Sequence, residues 1–431
     1  MKTNMKLPKV LVIDVNAWRD DAGSNTLRDI FSCWDRDRLA LVYTSSQMPS
    51  CNVCHNYFQI CENQILKSVF NPMLKVGKKV ENTLSNDSAD AMEERERYQK
   101  AHKKHAKWMR LAREVVWKLG HWKTKALKTF VKDFNPDIIF VPIFPYAYMG
   151  RIQEYIIELT KKPTVCYLAD DNYSYDSCQD CIDYIHRLWT RQYVGPLARK
   201  SNQMFVIVDK EKEDTDRRFG TNSIILTKSI DFSNKTYHHR RINDPLKFVY
   251  TGSMVIGRDK TLAIVADAIN QINTDGIKAE MYIYSQTIPS EEIRCHIDSG
   301  ACHYCGSVPH NEIKAIQENA DVLIFAEALE GKEANAAKLS FSTKITDYIS
   351  NGKCVLAIGK DDIAPIDYFR RNDSALIAHS KEEILKQVKR LVEHPELVDL
   401  YGKKAYDCAV RNHEKNMMNQ RFIDTMCKAA K

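Results

Sequence analysis

Within residues 339–359, LSFSTKITDYISNGKCVLAIG, Ser342, Thr343, Lys344 and Asp347 set two hydroxyls, an ammonium and a carboxylate at helical spacing. Ser342 and Thr343 read as caps, and Lys344 falls in the first turn of the helix they open. Unpaired N–H groups, two hydroxyls and a lysine converge there, as an anion requires. Asp347 lies one turn along on the same face, where its carboxylate can accept from a ribose diol. Gly352 ends the helix, and Cys354–Ile358 is the next buried strand. A well-capped amphipathic helix with no ligand carries the same signals. Two other segments have related content. FVYTGS, 248–253, is a strand running into Gly252 and Ser253, with Arg258 and Lys260 at the start of the following helix. Glycine lets a ligand approach the backbone, and a helix N-terminus with two cations suits a diphosphate. A glycine turn with solvated charges is the alternative. CHYCGSVPHNEI, 302–313, is a strand, a glycine turn and a helix opened by Pro309; its backbone can meet a planar base edge-on or simply join strand to helix.

These segments need a scaffold, and the hydrophobic pattern supplies one. KVLVID, 9–14, is a continuous apolar run, as in a parallel strand covered on both faces. Strands follow at 39–43, 137–141, 163–168, 203–208 and 223–227, with helices between them; residues 46–85 have no clear pattern. SNKTYHHRRINDP, 233–245, is polar and turn-rich and reads as a linker. A second alternation then places strands at 247–251, 279–284, 301–304, 321–325, 353–358 and 374–378, and helix over 396–429. The expected fold class is α/β: two Rossmann-like domains facing a cleft. The first spans 1–240 with a basic helical insertion near 75–133, and the second spans 245–405. A last helix, 406–431, packs back on the first domain. In open α/β sheets ligands bind outside the carboxyl ends of the strands, where all three segments fall.

In this order the three segments resemble the donor-binding domain of GT-B glycosyltransferases of the family 4, or group 1, type. Gly252 with Arg258 and Lys260, then GSVPHNEI, ADVLIF and KITDYISNGKCVLAIG follow that family's sequence of motifs over about residues 247–410. The resemblance implies the GT-B architecture and a metal-independent, hexosyltransferase-type enzyme. It would move a sugar from a nucleotide-sugar donor to an acceptor hydroxyl, in polysaccharide or glycoconjugate synthesis. By position, Gly252, Ser253, Arg258, Lys260, Ser342, Thr343 and Lys344 would lie at the donor phosphates. Ser307 and Val308 would flank the base, and Asp347 stands where the family has a ribose-binding glutamate. The nucleotide sugar is a substrate, so no cofactor is implied. Two departures stand out. The family's first paired glutamate is replaced by Leu339, and the loop 327–340, usually glycine-rich, has only Gly331. A nucleotide-sugar epimerase of the same fold and a non-catalytic nucleotide-sugar-binding scaffold are the rival readings.

The first half would hold the acceptor, a glycan or a lipid-linked glycan. The loop after its first strand carries Gly23 and Ser24, similar to the family's glycine loop near acceptor and sugar. VCYLADDNYSYD puts Asp170 and Asp171 at a strand end, where paired acids can orient an acceptor hydroxyl or take its proton; turn and capping acids look the same. The family's frequent histidine near this point is absent. In a retaining transfer the leaving diphosphate can itself take the proton, and no strong protein base is needed.

Charge and composition bound the remainder. The chain has 431 residues and net charge +7, yet residues 75–133 alone hold sixteen basic and eight acidic residues, a surplus of eight. A uniformly basic, nucleic-acid-coating protein is therefore excluded. That segment also carries Trp108, Trp117 and Trp122. It reads either as a face for an anionic membrane surface or as a solvated helix whose tryptophans pack on the first domain. Thirteen scattered cysteines suit a reducing cytosol rather than a disulfide framework. Cys51, Cys54 and Cys61 are the best zinc candidates, although no metal is expected at the site. The start of the chain has no signal-peptide core, and the longest apolar run, 138–149, is too short to span a bilayer. The expected location is cytoplasmic, peripheral on the inner membrane face.

Overall fold

A computed structural model describes residues 6–20, 26–81, 107–239 and 241–431. The chain forms two compact units. The first comprises Met1–Ile207, Lys212–Leu226 and Asn419–Lys431; the second comprises Val208–Glu211 and Thr227–Met418.

The first unit is built on β1 (Val10–Asp14), β2 (Leu39–Tyr43), β3 (Asn56–Gln59), β4 (Lys78–Val80), β5 (Ile138–Pro142), β6 (Thr164–Leu168), β7 (Gln203–Val206) and β8 (Ile224–Ile225). They lie in the order β4-β3-β2-β1-β5-β6-β7-β8. Among the described strands only β4 runs antiparallel to its neighbour, β3. Val10 sits opposite Leu39 on one side and Ile138 on the other, so the apolar run of β1 is central and buried on both faces. Leu11 and Ile13 point into a core with Trp117, Leu127, Tyr148 and Ile152 from the helices. On the opposite face Phe140 meets Phe31, at 5.0 Å, and Phe422. Phe422 comes from the last helix, Lys415–Ala429, and this aromatic cluster ties that helix to the unit. The predicted helix over 396–429 is in fact broken at Glu414, and the piece before the break, Glu396–His413, belongs to the second unit.

The unpatterned stretch 46–85 contains β3, the helix Glu62–Phe70 and β4. The basic helical insertion expected near 75–133 holds two helices over the described residues, Trp108–Leu119 and Lys125–Phe134. The break has a local cause. A Cβ at Gly120 would lie 2.4 Å from Ile65 Cγ2, and Thr124 caps the second helix by accepting from the Leu127 N–H at 3.3 Å. Residues 82–106 of that insertion lie outside the described residues.

The second unit carries β9 (Leu246–Thr251), β10 (Ala279–Tyr284), β11 (Cys302–Gly306), β12 (Val322–Ala326), β13 (Cys354–Ile358) and β14 (Leu376–Ala378). They form an all-parallel sheet ordered β11-β10-β9-β12-β13-β14. The strand order reverses between β1 and β5 in the first sheet and between β9 and β12 in the second, giving each unit one topological switch point. The chain changes unit at Leu226–Thr227, earlier than the polar stretch at 233–245 suggests. The intervening residues are bonded into the second unit: Lys228 Nζ donates to Asp347 Oδ1 at 2.6 Å, and Tyr237 Oη donates to Asp399 Oδ1 at 2.7 Å.

Candidate functional site

The second unit's switch point is spanned by an ion pair. Arg258 opens the helix Arg258–Ile272 after β9, and Glu327 follows the last residue of β12. Arg258 donates through Nε and Nη2 to the two Glu327 oxygens, both at 2.8 Å. This two-pronged, charge-assisted geometry is the strong form of an ion pair. Glu327 is buried and its main chain is also bound, its N–H donating to Ile358 O at 2.9 Å and its carbonyl accepting from Thr261 Oγ1 at 2.9 Å. Sequence reasoning takes Glu327 only as the start of a loop. The available signal is an acid closing the otherwise apolar run VLIFA, an expensive position for a carboxylate without a cation.

Lys344 reaches the same strand ends from the helix Thr343–Ser350. Ser342 caps that helix, its Oγ accepting from the Lys344 N–H at 3.4 Å. The helix is pinned by Tyr348, whose buried hydroxyl lies 3.1 Å from Thr251 Oγ1 at the end of β9. This anchor directs Lys344 Nζ over the Tyr250 ring, 4.9 Å from its centroid, and beneath Gly252. A Cβ on Gly252 would sit 2.1 Å from Lys344 Nζ, and φ there is +137°, so the position requires glycine on two counts. Burial and the nearby Arg258 charge pull the Lys344 amine down to about 8, with Glu327 opposing them. Among the described residues no carboxylate forms an ion pair with Lys344, whereas Arg258 has Glu327. The half-buried group left with charge to spare is therefore a cation, and the site suits an anion.

The neighbouring loops are joined to this point. Exposed Ser253 has its Oγ 3.3 Å from Thr287 Oγ1, and the Met254 N–H donates to the same Thr287 oxygen at 3.1 Å. Tyr304 donates to Thr287 O at 3.0 Å, and the Ser285 N–H donates to Gly306 O at 2.8 Å. The turn after β11, with Gly306 at φ +71° and Ser307 exposed, is thus linked by hydrogen bonds to the loop after β9. Val308 follows in that turn, half-buried.

Other residues singled out by sequence stand apart from this cluster. Lys260 points outward, its side chain 73 % exposed and its Nζ 3.9 Å from Glu333 Oε2. Asp347 already has a cation, Lys228. Thr343 is half-buried in the first turn of its helix, and Leu339 is a buried apolar residue. In the first unit Asp171 is absorbed by its own loop. It accepts from the Tyr173 and Ser174 N–H groups at 3.2 and 2.8 Å and from the Ser174 hydroxyl, while Arg187 donates to its carbonyl. Asp170 is exposed just after β6. Gly23 and Ser24 lie outside the described residues. The most altered acid of this unit is Asp14, at the end of β1. Burial pushes its carboxyl up to about 6, although it accepts from Trp18 Nε1 and from the Val15 and Asn16 N–H groups.

Cys51, Cys54 and Cys61 are buried. Cys51 Sγ lies 3.4 Å from Tyr57 Oη, and burial pushes the Cys54 thiol up to about 12, away from the thiolate a metal would need. Among the described residues no group of three His, Cys, Asp or Glu could hold a metal ion, and no helix is long and apolar enough to cross a membrane.

Comparison with known proteins places this geometry. Residues 280–424 match the family model described as glycosyl transferase-like. Among solved structures, HepE of Anabaena, in complex with UDP and glucose, superposes with a TM-score of 0.60 at 11% identity, over 98% of this chain and 100% of that one. Sucrose-phosphate synthase from Thermosynechococcus elongatus gives 0.60 at 10% identity, over 96% of each chain. A glycosyltransferase from Rickettsia africae gives 0.57 at 9% identity, over 98% and 99%. A search of curated protein sequences finds no match. The fold is thus that of the two-domain GT-B proteins. The part of the second unit from residue 280 on, which holds Lys344, is similar to the glycosyl transferase-like family.

Proposed function

We propose that this protein is a group 1-like GT-B glycosyltransferase that uses a nucleotide-diphosphate sugar, of the class seen bound to HepE, and holds its diphosphate at Gly252 and Lys344. The observation that carries this reading is the Lys344 ammonium, half-buried beneath a glycine and with no acid paired to it among the described residues. A diphosphate supplies the missing negative charge, and Gly252 lets it approach closely. Ser342, Thr343 and the first turn of their helix add N–H and hydroxyl donors, and Ser253 adds a hydroxyl. Arg258, held by Glu327, adds a fixed positive field rather than a free hand. As the sugar leaves, charge grows on the diphosphate, and Lys344 and Arg258 stabilise it there without rearranging. The turn at Ser307 and Val308 takes the base. Asp347 meets the ribose by giving up or sharing its bond to Lys228. No cofactor enters this reading.

The acceptor is a glycan or lipid-linked hydroxyl on the first unit, in polysaccharide or glycoconjugate synthesis at the cytoplasmic face of a membrane. Asp170 is the better candidate to orient that hydroxyl, because Asp171 is spent on its loop. The test is thermal shift and calorimetry with UDP and UDP-sugars, then donor turnover with and without glycan acceptors. Nucleotide release that depends on acceptor supports transfer. Interconversion of the free donor would replace it with epimerisation, and binding without turnover with a scaffold. Equal UDP affinity in the wild type and Lys344→Ala would sink the phosphate site.

A further inference from the structure

The surplus charge of the first unit divides into two populations. From Lys107 to Arg113 the cations are answered. Lys107 pairs with Asp180 and Asp183, Arg110 with Asp183, and Arg113 with Glu62. Beyond them the pattern changes. No acid occurs from 65 to 80 or from 115 to 128. The first stretch exposes Lys67, Lys75, Lys78 and Lys79, and the second exposes Lys118, Lys123, Lys125 and Lys128. Among the described residues none of these eight has an acidic partner.

The fold brings the two stretches together. His121 donates its N–H to Ser68 Oγ at 3.1 Å, and its Nδ1 lies 3.0 Å from Ser68 O, which joins the end of Trp108–Leu119 to the end of Glu62–Phe70. The helix Lys125–Phe134 lies beside β4, and its Phe130 ring is 5.3 Å from Phe58 of β3. Large apolar side chains stand out among these lysines: Phe70 is 85% exposed and Met73 91%, and Leu66 and Leu119 are exposed beside them. Of the two readings of the tryptophans, Trp117 and Trp122 follow packing on the first unit: both are buried, and Trp117 stacks on Tyr148 at 4.5 Å and donates to Glu62 at 3.3 Å.

We infer that the face formed by residues 65–80 and 115–128 docks on an anionic lipid bilayer, with Phe70 and Met73 entering the headgroup layer and the lysines meeting lipid phosphates and carboxylates. The charge selects an anionic surface, because eight ammonium groups, none of them paired to a described acid, repel one another and gain from neutralisation. The apolar residues select lipid over a soluble polyanion, since Phe70 and Met73 gain nothing from a hydrated chain but leave water in a bilayer. This inference stands on the surface alone and does not depend on the nucleotide reading.

The full chain is tested by co-sedimentation with phosphatidylcholine vesicles, alone or carrying about a third phosphatidylserine. Binding to the anionic vesicles is expected to be at least about tenfold tighter. Lys78→Glu with Lys79→Glu should weaken it about thirtyfold at low salt. Phe70→Ser with Met73→Ser should weaken it about tenfold and remove the binding that survives high salt, where surface charges are screened. All four side chains are exposed, so an unchanged melting temperature shows that the variants are folded. Equal binding to both vesicle types, or no loss in either double variant, overturns the proposal. If Phe70→Ser with Met73→Ser binds like the wild type and soluble polyphosphate displaces the vesicles, the face serves a soluble polyanion and the lipid assignment falls.

Discussion

The two switch points use their charged residues in opposite ways. In the second unit Arg258 is neutralised by Glu327, and Lys344 is held beside them with positive charge to spare. In the first unit two acids at or just beyond strand ends, Asp14 and Asp171, are consumed at home. Asp14 accepts from Trp18 and two N–H groups, and Asp171 holds its own loop. A charge with no internal partner is what a ligand can complete, whereas a fully bonded acid builds the loop that carries other groups. Charge type alone therefore does not mark a site; the unmet share of it does.

The largest effect should come from breaking the pair that spans the second switch point. Glu327→Ala leaves Arg258 without its counter-charge beside a second cation, and chemical denaturation should show about 3–5 kcal/mol lost. A loss below about 1 kcal/mol would mean that the pair is solvated. Next is Gly252→Ala. Its Cβ would take the place of the Lys344 ammonium, so UDP affinity by calorimetry should fall about a hundredfold while the fold is retained.

Lys344→Ala should weaken UDP about tenfold to fiftyfold and also change the pH dependence. On the proposed reading the site binds anions through the protonated amine, so its affinity should weaken as pH rises through about 8. In Lys344→Ala that fall should vanish, and a variant that keeps it would assign the titration to another group.

Asp171→Asn sharpens the other half of the comparison. It should cost stability, about 1 kcal/mol, with little change in kcat once the protein is folded. A kcat loss above about a hundredfold with unchanged melting would instead make Asp171 a proton acceptor in the reaction. The smallest effect is expected for Lys260→Ala, below about threefold in UDP affinity, because that lysine is solvated and its nearest acid is 3.9 Å away. A tenfold loss would require the exposed lysine to fold over the ligand.

Much of the local geometry at the second unit's strand ends is legible in the residue pattern. The helix after Ser342, its closing Gly352, and the glycine after β9 are local matters of capping and backbone freedom, and they stand where the pattern puts them. Legibility ends at pairs remote in sequence. Arg258 and Glu327 are 69 positions apart and meet only because β9 and β12 are neighbours. Lys260, equal to Arg258 in type and close in sequence, faces the other way because successive helical positions do not share a face. Trp117 and Trp122 look like surface aromatics among lysines, but their indoles are core pieces whose N–H groups reach Glu62 and the Trp117 carbonyl.

The order of residues alone specifies two runs of alternating strands and helices, the position of three turns at strand ends in the second run, and the concentration of charge in one segment of the first. These follow from periodicity, caps and composition, which act within a few residues. Which charges are met and which are not is settled only in the folded chain: Lys228 answers Asp347, Glu327 answers Arg258, and Lys344 and the lysines of 65–80 and 115–128 pair with no described acid. The physical reason is that an ion pair depends on separation in space, and only the strand order and helix packing set that distance.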